Sequence, residues 1–351
     1  MWDVPPGSAW PLSRLGWIFG RDFLPEMAYT EARIGSRRLK AHPARRMMLM
    51  SRTSCAIVYN GNLGSEKFLY QVRWLERTAR ELGFDVRTIG NQELIPAFEG
   101  GVPRIKGRYA GYEPDFFFFW DKDVRLARHL ERMGFRLYNS AASIAICDDK
   151  IRTYEALAGG GVRLPKTLIA PLIYETCGIA DESPYDTAIE ELGLPLVVKE
   201  AFGSFGEQVY LVHNRKELLT LEERIKHRPH LFQELIAFSY GRDMRINVVG
   251  SSIAASMRRE AEHDFRANVT AGGRMHPYAP TEREKEVALA CTRRVGADFA
   301  GVDLLFSEDG EPYVCEVNSN AHFKNIYNCT GVDLAVRMLE YIREERAGRH
   351  A

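Results

Sequence analysis

Two acidic residues in the C-terminal third of the chain have the spacing of a metal site. Asp303 and Glu316 flank Asp309-Gly310, a dipeptide that favours a tight turn between two β-strands. With that dipeptide as the turn, the two carboxylates face each other with Cβ atoms about 5 Å apart. Like charges that face each other among apolar residues repel, and burial increases the cost, so we expect a divalent cation between them. Asn318 falls on the same face and adds a neutral oxygen ligand.

An all-oxygen ligand set of this kind suits Mg²⁺ or Mn²⁺, with water and phosphate oxygens completing the coordination. The alternative is an exposed hairpin whose acids are solvated. A loop longer than two residues would shift the register by one and weaken the prediction.

A lysine and a glycine-containing loop form a second candidate site. The apolar stretch 194–198 leads to Lys199, and the loop Gly203, Ser204, Phe205 and Gly206 follows. A lysine ammonium suits phosphate oxygens, and glycines let backbone N–H groups approach those oxygens closely. The loop is not a Walker A motif, because no Gly-Lys-Ser/Thr sequence follows. Taken alone, the pattern fits an ordinary hairpin equally well.

A strand that ends in Gln233, Glu234, Leu235 and Ile236 could hold an adenine ring through its backbone groups and apolar side chains. Asp243 follows, and its carboxylate could accept hydrogen bonds from ribose hydroxyls. Taken alone, this segment is a plain strand.

Three arginines, Arg258, Arg259 and Arg266, gather around a predicted turn. Arginine binds carboxylates and phosphates through two parallel hydrogen bonds. A solvated basic face explains the same pattern.

The elements that must position these residues alternate regularly from Cys55 onward. Short apolar strands alternate with helical periodicity up to Tyr138, which predicts a parallel sheet covered by helices. Ligands of such sheets bind beyond the carboxyl ends of the strands. This rule places 60–62 and 120–122 at a pocket rim, although both could be plain surface turns.

We divide the chain into four segments. Residues 1–50 are an irregular extension without periodicity, and 51–146 are the parallel α/β domain. Residues 147–236 form a smaller α+β unit, and 237–346 carry further strands, two helices and the acidic hairpin. The predicted fold class is therefore α/β combined with α+β.

Composition narrows the function. The 351 residues include 47 lysines plus arginines and 47 aspartates plus glutamates, so no global charge excess favours a nucleic acid or a membrane surface. No stretch approaches the roughly 20 apolar residues of a membrane span. The six cysteines form no CxxC pair, which indicates reduced thiols and a cytoplasmic protein.

The order of these signals resembles the ATP-grasp superfamily, and within it the RimK-like carboxylate–amine ligases of the α-L-glutamate type. The resemblance covers about 145–345, and the preceding region is similar in its α/β pattern. It rests on the following residues, in this order: Asp149-Lys150, Lys199, Gly203–Gly206, Gln233-Glu234-Leu235, Asp243-Met244-Arg245, Arg258, Arg266-Ala267-Asn268, Asp303 and Glu316-Val317-Asn318.

The resemblance implies an ATP-grasp fold behind a pre-ATP-grasp α/β domain, and a role for each matching residue. Lys150 and Lys199 would contact ATP phosphates under a lid formed by the glycine loop. Glu234 and Leu235 would hold the adenine, and Asp243 would hold the ribose. The remaining implied roles are phosphate binding by Arg266 and Asn268, stabilisation of an acyl phosphate by Arg258, and binding of two Mg²⁺ ions by Asp303, Glu316 and Asn318.

After Asn318, the sequence differs from the pattern of the family that it resembles. The family usually continues with a small residue and Ser-Pro-Gly, whereas this chain has Ser319-Asn320-Ala321-His322-Phe323-Lys324. That segment borders the acceptor site in relatives, so the acceptor could differ here. His322 and Lys324 could bind a substrate carboxylate or could lie in a surface turn.

We therefore expect an ADP-forming ligase that couples a small-molecule or peptide carboxylate to an amine such as an amino acid. We expect ATP and Mg²⁺ or Mn²⁺ as cofactors, with homo-oligomer formation possible. The alternative function is a catalytically inactive nucleotide-binding regulatory module. A dikinase of the same fold would need a phosphohistidine domain, which this sequence lacks.

Overall fold

The computed structural model describes residues 52–267 and 273–349. The predicted N-terminal extension and Asn268 lie outside these residues. The described helices are α1 (Glu66–Glu81), α2 (Val124–Arg132), α3 (Ala141–Asp148), α4 (Lys150–Leu157), α5 (Ser183–Leu192), α6 (Arg215–Ile225), α7 (Glu282–Arg294), α8 (Lys324–Thr330) and α9 (Leu334–Arg349). The strands are β1 (Ser54–Tyr59), β2 (Asp85–Gly90), β3 (Ile95–Glu99), β4 (Val102–Lys106), β5 (Phe116–Trp120), β6 (Leu137–Tyr138), β7 (Thr167–Ile169), β8 (Leu196–Glu200), β9 (Val209–Val212), β10 (His230–Glu234), β11 (Arg242–Val249), β12 (Ser252–Glu260), β13 (Arg274–Pro277), β14 (Phe299–Leu305) and β15 (Tyr313–Asn318).

The first sheet is parallel, in the strand order β2-β1-β5-β6. Its central strand β5 contains four consecutive buried phenylalanines, because both faces of a parallel sheet are covered. Tyr59 pairs with Trp120, so Asn60 and Asp121 follow two neighbouring strands at the same sheet edge. The predicted parallel α/β arrangement is confirmed.

The second sheet is antiparallel, in the order β7-β10-β8-β9, and packs against α5 and α6. The sequence analysis did not predict these two helices. Each has a recognisable start, with a proline in the first turn of α5 and an Asn214 cap on α6. Asp149 adopts an extended conformation between α3 and α4, so these are two separate helices.

The third sheet is antiparallel, in the order β13-β12-β11-β14-β15. One face packs on α7 through Met244, Ile246, Val302 and Leu304. The opposite face packs on α8 and α9 at one end, around Met257 and other buried residues. Its other end carries charged side chains, and this region forms the candidate site.

The acidic hairpin has the predicted pairing but a different turn. Asp303 pairs with Glu316, as the sequence predicted. However, Leu304 pairs with Val314 and Leu305 with Tyr313, so the connection is longer than two residues and the prediction of a two-residue loop was wrong. A β-bulge leaves Cys315 without a cross-strand partner and restores the register at Asp303.

Among the described residues, no helix combines the length and the apolar composition that a membrane crossing requires.

Candidate active site

Strand register places a charged network on one face of the third sheet. Asp243 pairs with Arg259, Arg245 pairs with Asp303, and Asp303 pairs with Glu316. Residues directly opposite each other in an antiparallel pair point to the same face. These five side chains therefore lie side by side across four strands.

Two arginines neutralise Asp303. Arg245 donates two hydrogen bonds of 2.6 Å to its carboxylate, and Arg259 Nη2 lies 3.0 Å from Asp303 Oδ2. Arg259 also donates to both oxygens of Asp243, at 2.7 and 2.6 Å. A metal ion is therefore not required to offset the charge of Asp303, contrary to the sequence prediction, because these arginines already supply positive charge.

The ionisation of Asp303 follows from this arrangement. Burial by itself would raise the pKa of Asp303, but Arg245 and Arg259 outweigh burial and hold this pKa below its ordinary value. Asp303 is thus an anion over the physiological pH range. An anionic carboxylate on this face can pair with the arginines, or it can bind a metal cation that also binds a phosphate group.

Arg258 does not belong to this network, contrary to its predicted role beside an acyl phosphate. It pairs with Met244, whose side chain is buried in the core on the α7 face. Its guanidinium lies 2.9 Å from Glu260, and the Arg258 side chain is 43% exposed. Side chains alternate along a strand, so the site face receives Arg259 instead.

Two lysines approach the network from the second sheet and from α4. Lys199, on β8, is buried, and its Nζ lies 3.8 Å from Cys315 Sγ. Burial would lower the pKa of Lys199, but Cys315, Tyr154 and Glu316 outweigh burial and raise it above its ordinary value. Lys150 is also buried, in the first turn of α4, which the preceding Asp149 caps by accepting from the N–H of Ile151.

The glycine loop bends back over the site. Gly203 has a φ of 148°, and a Cβ there would lie 2.3 Å from Gln208 Oε1. Gly206 has a φ of 73°, and its carbonyl accepts a 2.6 Å hydrogen bond from Arg266 Nη1. Both positions therefore favour glycine, and Arg266 holds the loop to the chain beyond β12.

Two cavities meet beneath this loop. The first, which we term the lysine cavity, is lined by most of the predicted site: Lys150, Lys199, Phe205, Gly206, Gln233, Glu234, Leu235, Ile236, Asp243, Arg266, Asp303 and Glu316, together with Arg259 and Cys315. Ser204 and Asn318 line the other cavity, and Gly203 and Arg258 line neither.

The second cavity, which we term the histidine cavity, has a volume of about 420 Å³. Its polar lining consists of Asn60, Asp121, Lys122, Ser204, Arg245, Glu316, Asn318, Asn320 and His322, beside an apolar wall that includes Phe68 and Trp120. The predicted pocket rim at the ends of β1 and β5 is thus part of this cavity. Lys324 does not line it, and its ammonium lies over the Tyr70 ring instead.

His322 is neutral in this cavity. Burial, followed by the positive charges of Lys67, Arg245 and Lys122, lowers the pKa of His322 to about 4. Its Nδ1 lies 2.6 Å from Gln71 Nε2, so Nδ1 accepts and the ring proton resides on Nε2. A neutral imidazole can donate a hydrogen bond to a substrate but cannot pair with a carboxylate as a cation.

Phe205 and Glu316 line both cavities. The Phe205 ring contacts Phe68 and His322 edge-on, and the Lys67 ammonium lies 4.0 Å from its centroid. This loop tip therefore separates the two cavities. Glu316 is the acid that lines both cavities.

The sequence analysis gave no specific role to Arg245 or Cys315, and it placed Asp121 only at a possible pocket rim and Arg259 only in an arginine cluster. Strand alternation contained the signal for two of them. Arg245 lies two residues beyond Asp243 and so shares its face, and the same face receives Arg259 once the pairing of β11 with β12 is known. No sequence signal indicated Cys315, which enters the site through the bulge.

Comparison with solved structures identifies the fold. A RimK domain ATP-grasp protein from Sphaerobacter thermophilus superposes with a TM-score of 0.61 at 20% identity, over 82% of this chain and 98% of that protein. At this identity the similarity concerns the fold alone. The chain has the ATP-grasp fold, as the sequence analysis predicted.

The family follows from sequence comparison. The RimK-like ATP-grasp domain profile matches residues 147–342. The ribosomal protein bS6–L-glutamate ligase of Escherichia fergusonii is 35% identical over 263 residues, 73% of this chain and 79% of that enzyme. Human N-acetylaspartylglutamate synthase A is 34% identical over 223 residues, 63% of this chain and 56% of that protein. The chain therefore belongs to the RimK-like ATP-grasp family, which confirms the resemblance, and it spans little more than half of the human synthase.

Proposed function

We propose that this protein is an ATP- and Mg²⁺-dependent ligase that joins a carboxylate to an amine through an acyl phosphate. The observation that supports this most is the junction of the two cavities at Glu316. One cavity gathers the cationic and apolar groups that a nucleoside triphosphate needs. The other adjoins it and has room for a second substrate.

The lysine cavity fits ATP residue by residue. Lys150, Lys199 and Arg266 would bind the phosphates, because each presents positive charge to one enclosed space. The stretch Glu234–Ile236 would hold the adenine at the end of β10. Asp243 would hold the ribose with the acceptor positions that Arg259 leaves free on its oxygens.

Asp303, Glu316 and Asn318 fit Mg²⁺, but arginines already occupy one oxygen of Asp303. Glu316 has no ion pair within the described ranges, and Asn318 adds an amide oxygen. Asp303 Oδ1 accepts a hydrogen bond from Arg245 and keeps a further lone pair, whereas Oδ2 receives both arginines. No group of three or more histidine, cysteine, aspartate or glutamate side chains suited to a metal ion occurs in the described part of the chain. The site would therefore rely on phosphate and water oxygens for its remaining ligands.

The chemistry then has two steps. The substrate carboxylate attacks the γ-phosphorus, the bond to the bridging oxygen breaks, and ADP leaves. The neutral amine attacks the acyl carbon, the bond to the phosphate oxygen breaks, and phosphate leaves with the electron pair and takes up the proton that the nitrogen loses. Lys199 and Arg266 would stabilise the charge on the transferred phosphoryl group, and Arg245 and Arg259 would stabilise the developing acyl oxygen charge. Mg²⁺, when bound, would neutralise phosphate charge.

The glycine loop would keep water out of this chemistry. Phe205 packs on Phe68 and His322, and Ser204 Oγ lies 3.3 Å from Lys122 Nζ. The loop thereby contacts α1, the end of β5 and the segment after β15. Exclusion of water would protect a mixed anhydride from hydrolysis.

For the substrates, we propose an amino acid as the amine, with L-glutamate as the first candidate, and a small-molecule or peptide carboxylate. Glutamate occurs in the names of both relatives described above. All six cysteines are free thiols, which supports the proposed cytoplasmic location.

A hydroxylamine-trapping assay tests the proposal. The protein is incubated with ATP, Mg²⁺ and a panel of carboxylates that includes N-acetyl-L-aspartate and glutamate peptides, and ADP and hydroxamate are measured. Lys199→Ala should lose both products. Lys166→Ala is the matched control, because Lys166 pairs with Glu191 on the exposed side of the second sheet and lines neither cavity.

Equal turnover by wild type and Lys199→Ala would refute the assignment of the site. Tight binding of an ATP analogue, with no ADP release for any carboxylate or in a cell extract, would favour the alternative of an inactive nucleotide-binding module.

A further inference from the structure

The wall of the histidine cavity contains two oxygen acceptors that lack a donor. Asp121 Oδ1 accepts from the backbone N–H of Lys122 at 2.7 Å, but Asp121 Oδ2 is buried with no hydrogen-bond partner among the described residues. Asn320 Nδ2 donates to the backbone oxygen of Asp121 at 3.0 Å, and Asn320 Oδ1 is likewise buried without a partner. The two orphan oxygens therefore belong to neighbouring side chains in one cavity.

The charge of Asp121 makes this arrangement unfavourable on its own. The residue is only 8% exposed, and burial raises the pKa of Asp121 to about 6. At neutral pH it is mostly ionised, and a buried carboxylate whose donors are all neutral amides remains costly. A positively charged donor at this position would remove the cost.

The two cations that line the cavity are engaged elsewhere. Lys122 Nζ lies 2.5 Å from Asp148 and 3.3 Å from Ser204, and Arg245 makes its two-point contact with Asp303. Neither supplies the missing donor to Asp121. The Asn60 amide beside Asp121 is a neutral donor, so a positively charged donor would have to come with a ligand.

We propose that Asp121 and Asn320 bind the ammonium group of an α-amino acid acceptor. An ammonium group carries three N–H donors, no acceptor and a positive charge, which matches a carboxylate oxygen beside an amide oxygen. Glu316 and Asn318 line the same cavity, so the amine would share a cavity with the acid that lines both cavities. This inference rests on the proposed ligase function and specifies its amine site.

The size of the cavity agrees with such a ligand. About 420 Å³ lies within the range of small-molecule pockets, roughly 300–1,000 Å³. Leu63, Leu69 and Val72 form an apolar wall that can pack against the aliphatic part of an amino acid. The cavity thus offers an ammonium site and a side-chain surface together.

The test measures binding, so it does not depend on knowing the carboxylate. The full-length protein, with Mg²⁺ and a non-hydrolysable ATP analogue, is titrated calorimetrically with the twenty L-amino acids and with the N-acetyl derivative of each one that binds. We expect at least one amino acid to bind and its N-acetyl derivative, which lacks the ammonium, to bind at least tenfold more weakly. Asp121→Asn should weaken binding of the amino acid by about tenfold or more, as loss of a charged hydrogen bond predicts.

Asp123→Asn is the matched control. Asp123 lies two residues further along the same loop, caps α2 through the N–H of Leu126 at 3.0 Å, and lines neither cavity. Its substitution should leave amino acid affinity unchanged. Asn320→Ala removes the second acceptor and is the independent variant if Asp121→Asn does not fold. Unchanged affinity for the ATP analogue shows that a variant is folded.

Three results would overturn the inference: no amino acid binds to the wild type, the N-acetyl derivative binds as tightly as the amino acid, or the folded variants at positions 121 and 320 retain wild-type affinity. Hydroxamate formation by the wild-type protein reports the ligase function separately. A protein that forms hydroxamate but shows one of these results would refute the amine site alone.

Discussion

Neighbouring arginines on opposite faces of β12 should differ sharply in their contribution to stability. Arg259 is 9% exposed in its side chain and contacts two buried carboxylates, Asp243 and Asp303. Replacing it by glutamine leaves both acids with less positive charge in a buried environment. Removal of one partner from a buried ion pair costs about 3–5 kcal/mol in the free energy of unfolding.

Arg258 provides the matched comparison. Its partner Glu260 is 37% exposed, so the pair is a surface salt bridge worth roughly 0–1 kcal/mol. Arg258→Gln should therefore lower the free energy of unfolding by less than about 1 kcal/mol, and the two variants should differ by at least about 2 kcal/mol. Only the Arg259 variant should also lose ligase activity.

Urea unfolding followed by tryptophan fluorescence measures the difference, with ADP release as the second readout. Arg259→Lys keeps the charge but cannot make two-point contacts with both acids, so it should lie between wild type and Arg259→Gln. If Arg258→Gln cost as much stability and activity as Arg259→Gln, the assignment of the faces of β12 would be wrong.

Three further predictions concern the acidic edge, the loop tip and the second sheet. Glu316→Gln should raise the Mg²⁺ concentration needed for half-maximal activity. It should cost little stability, because Glu316 has no ion pair in the described part of the chain. An unchanged Mg²⁺ titration would contradict the role of Glu316 as a ligand. Phe205→Ala should increase ATP hydrolysis in the absence of amine, because the Phe205 ring separates the two cavities. Phosphate release without amine measures this hydrolysis. A wild-type rate would show that the ring does not protect the intermediate from water. Burial opposes protonation of His230, but Glu222 at 3.1 Å outweighs burial and raises the pKa of His230. The pair therefore stabilises the fold below about pH 6.5 and loses this contribution as the pH rises through the raised pKa, so Glu222→Gln should destabilise more at pH 6 than at pH 9; equal unfolding midpoint shifts at both pH values would refute this.

The sequence contained the order of the site because several local patterns, each weak alone, occur in a specific order along the chain. Lys199 lies near the end of an apolar strand, Asp149 starts a helix, and Asp303 and Glu316 lie on two strands joined by a turn signal. Such patterns depend on backbone periodicity and turn chemistry, which act over a few residues. The parallel sheet was predictable for the same reason, since four phenylalanines in succession require burial on both faces.

The sequence could not decide which arginine faces the site. Arg258 and Arg259 are chemically identical, and the choice depends on the register of β12 against β11, set by packing of Met244 and Met257 on opposite faces. The bulge that brings Cys315 beside Lys199 is also a property of the assembled sheet.

The sequence by itself thus indicated the fold family, the order of the candidate site residues and the pairing of Asp303 with Glu316, although the bulge that keeps this pairing is seen only in the structure. Only the tertiary structure showed that Arg245 and Arg259 neutralise Asp303, and that Asp121 and Asn320 meet in a second cavity. These contacts join residues on different strands and loops. Their geometry depends on how sheets pack together, which no local pattern of residues specifies.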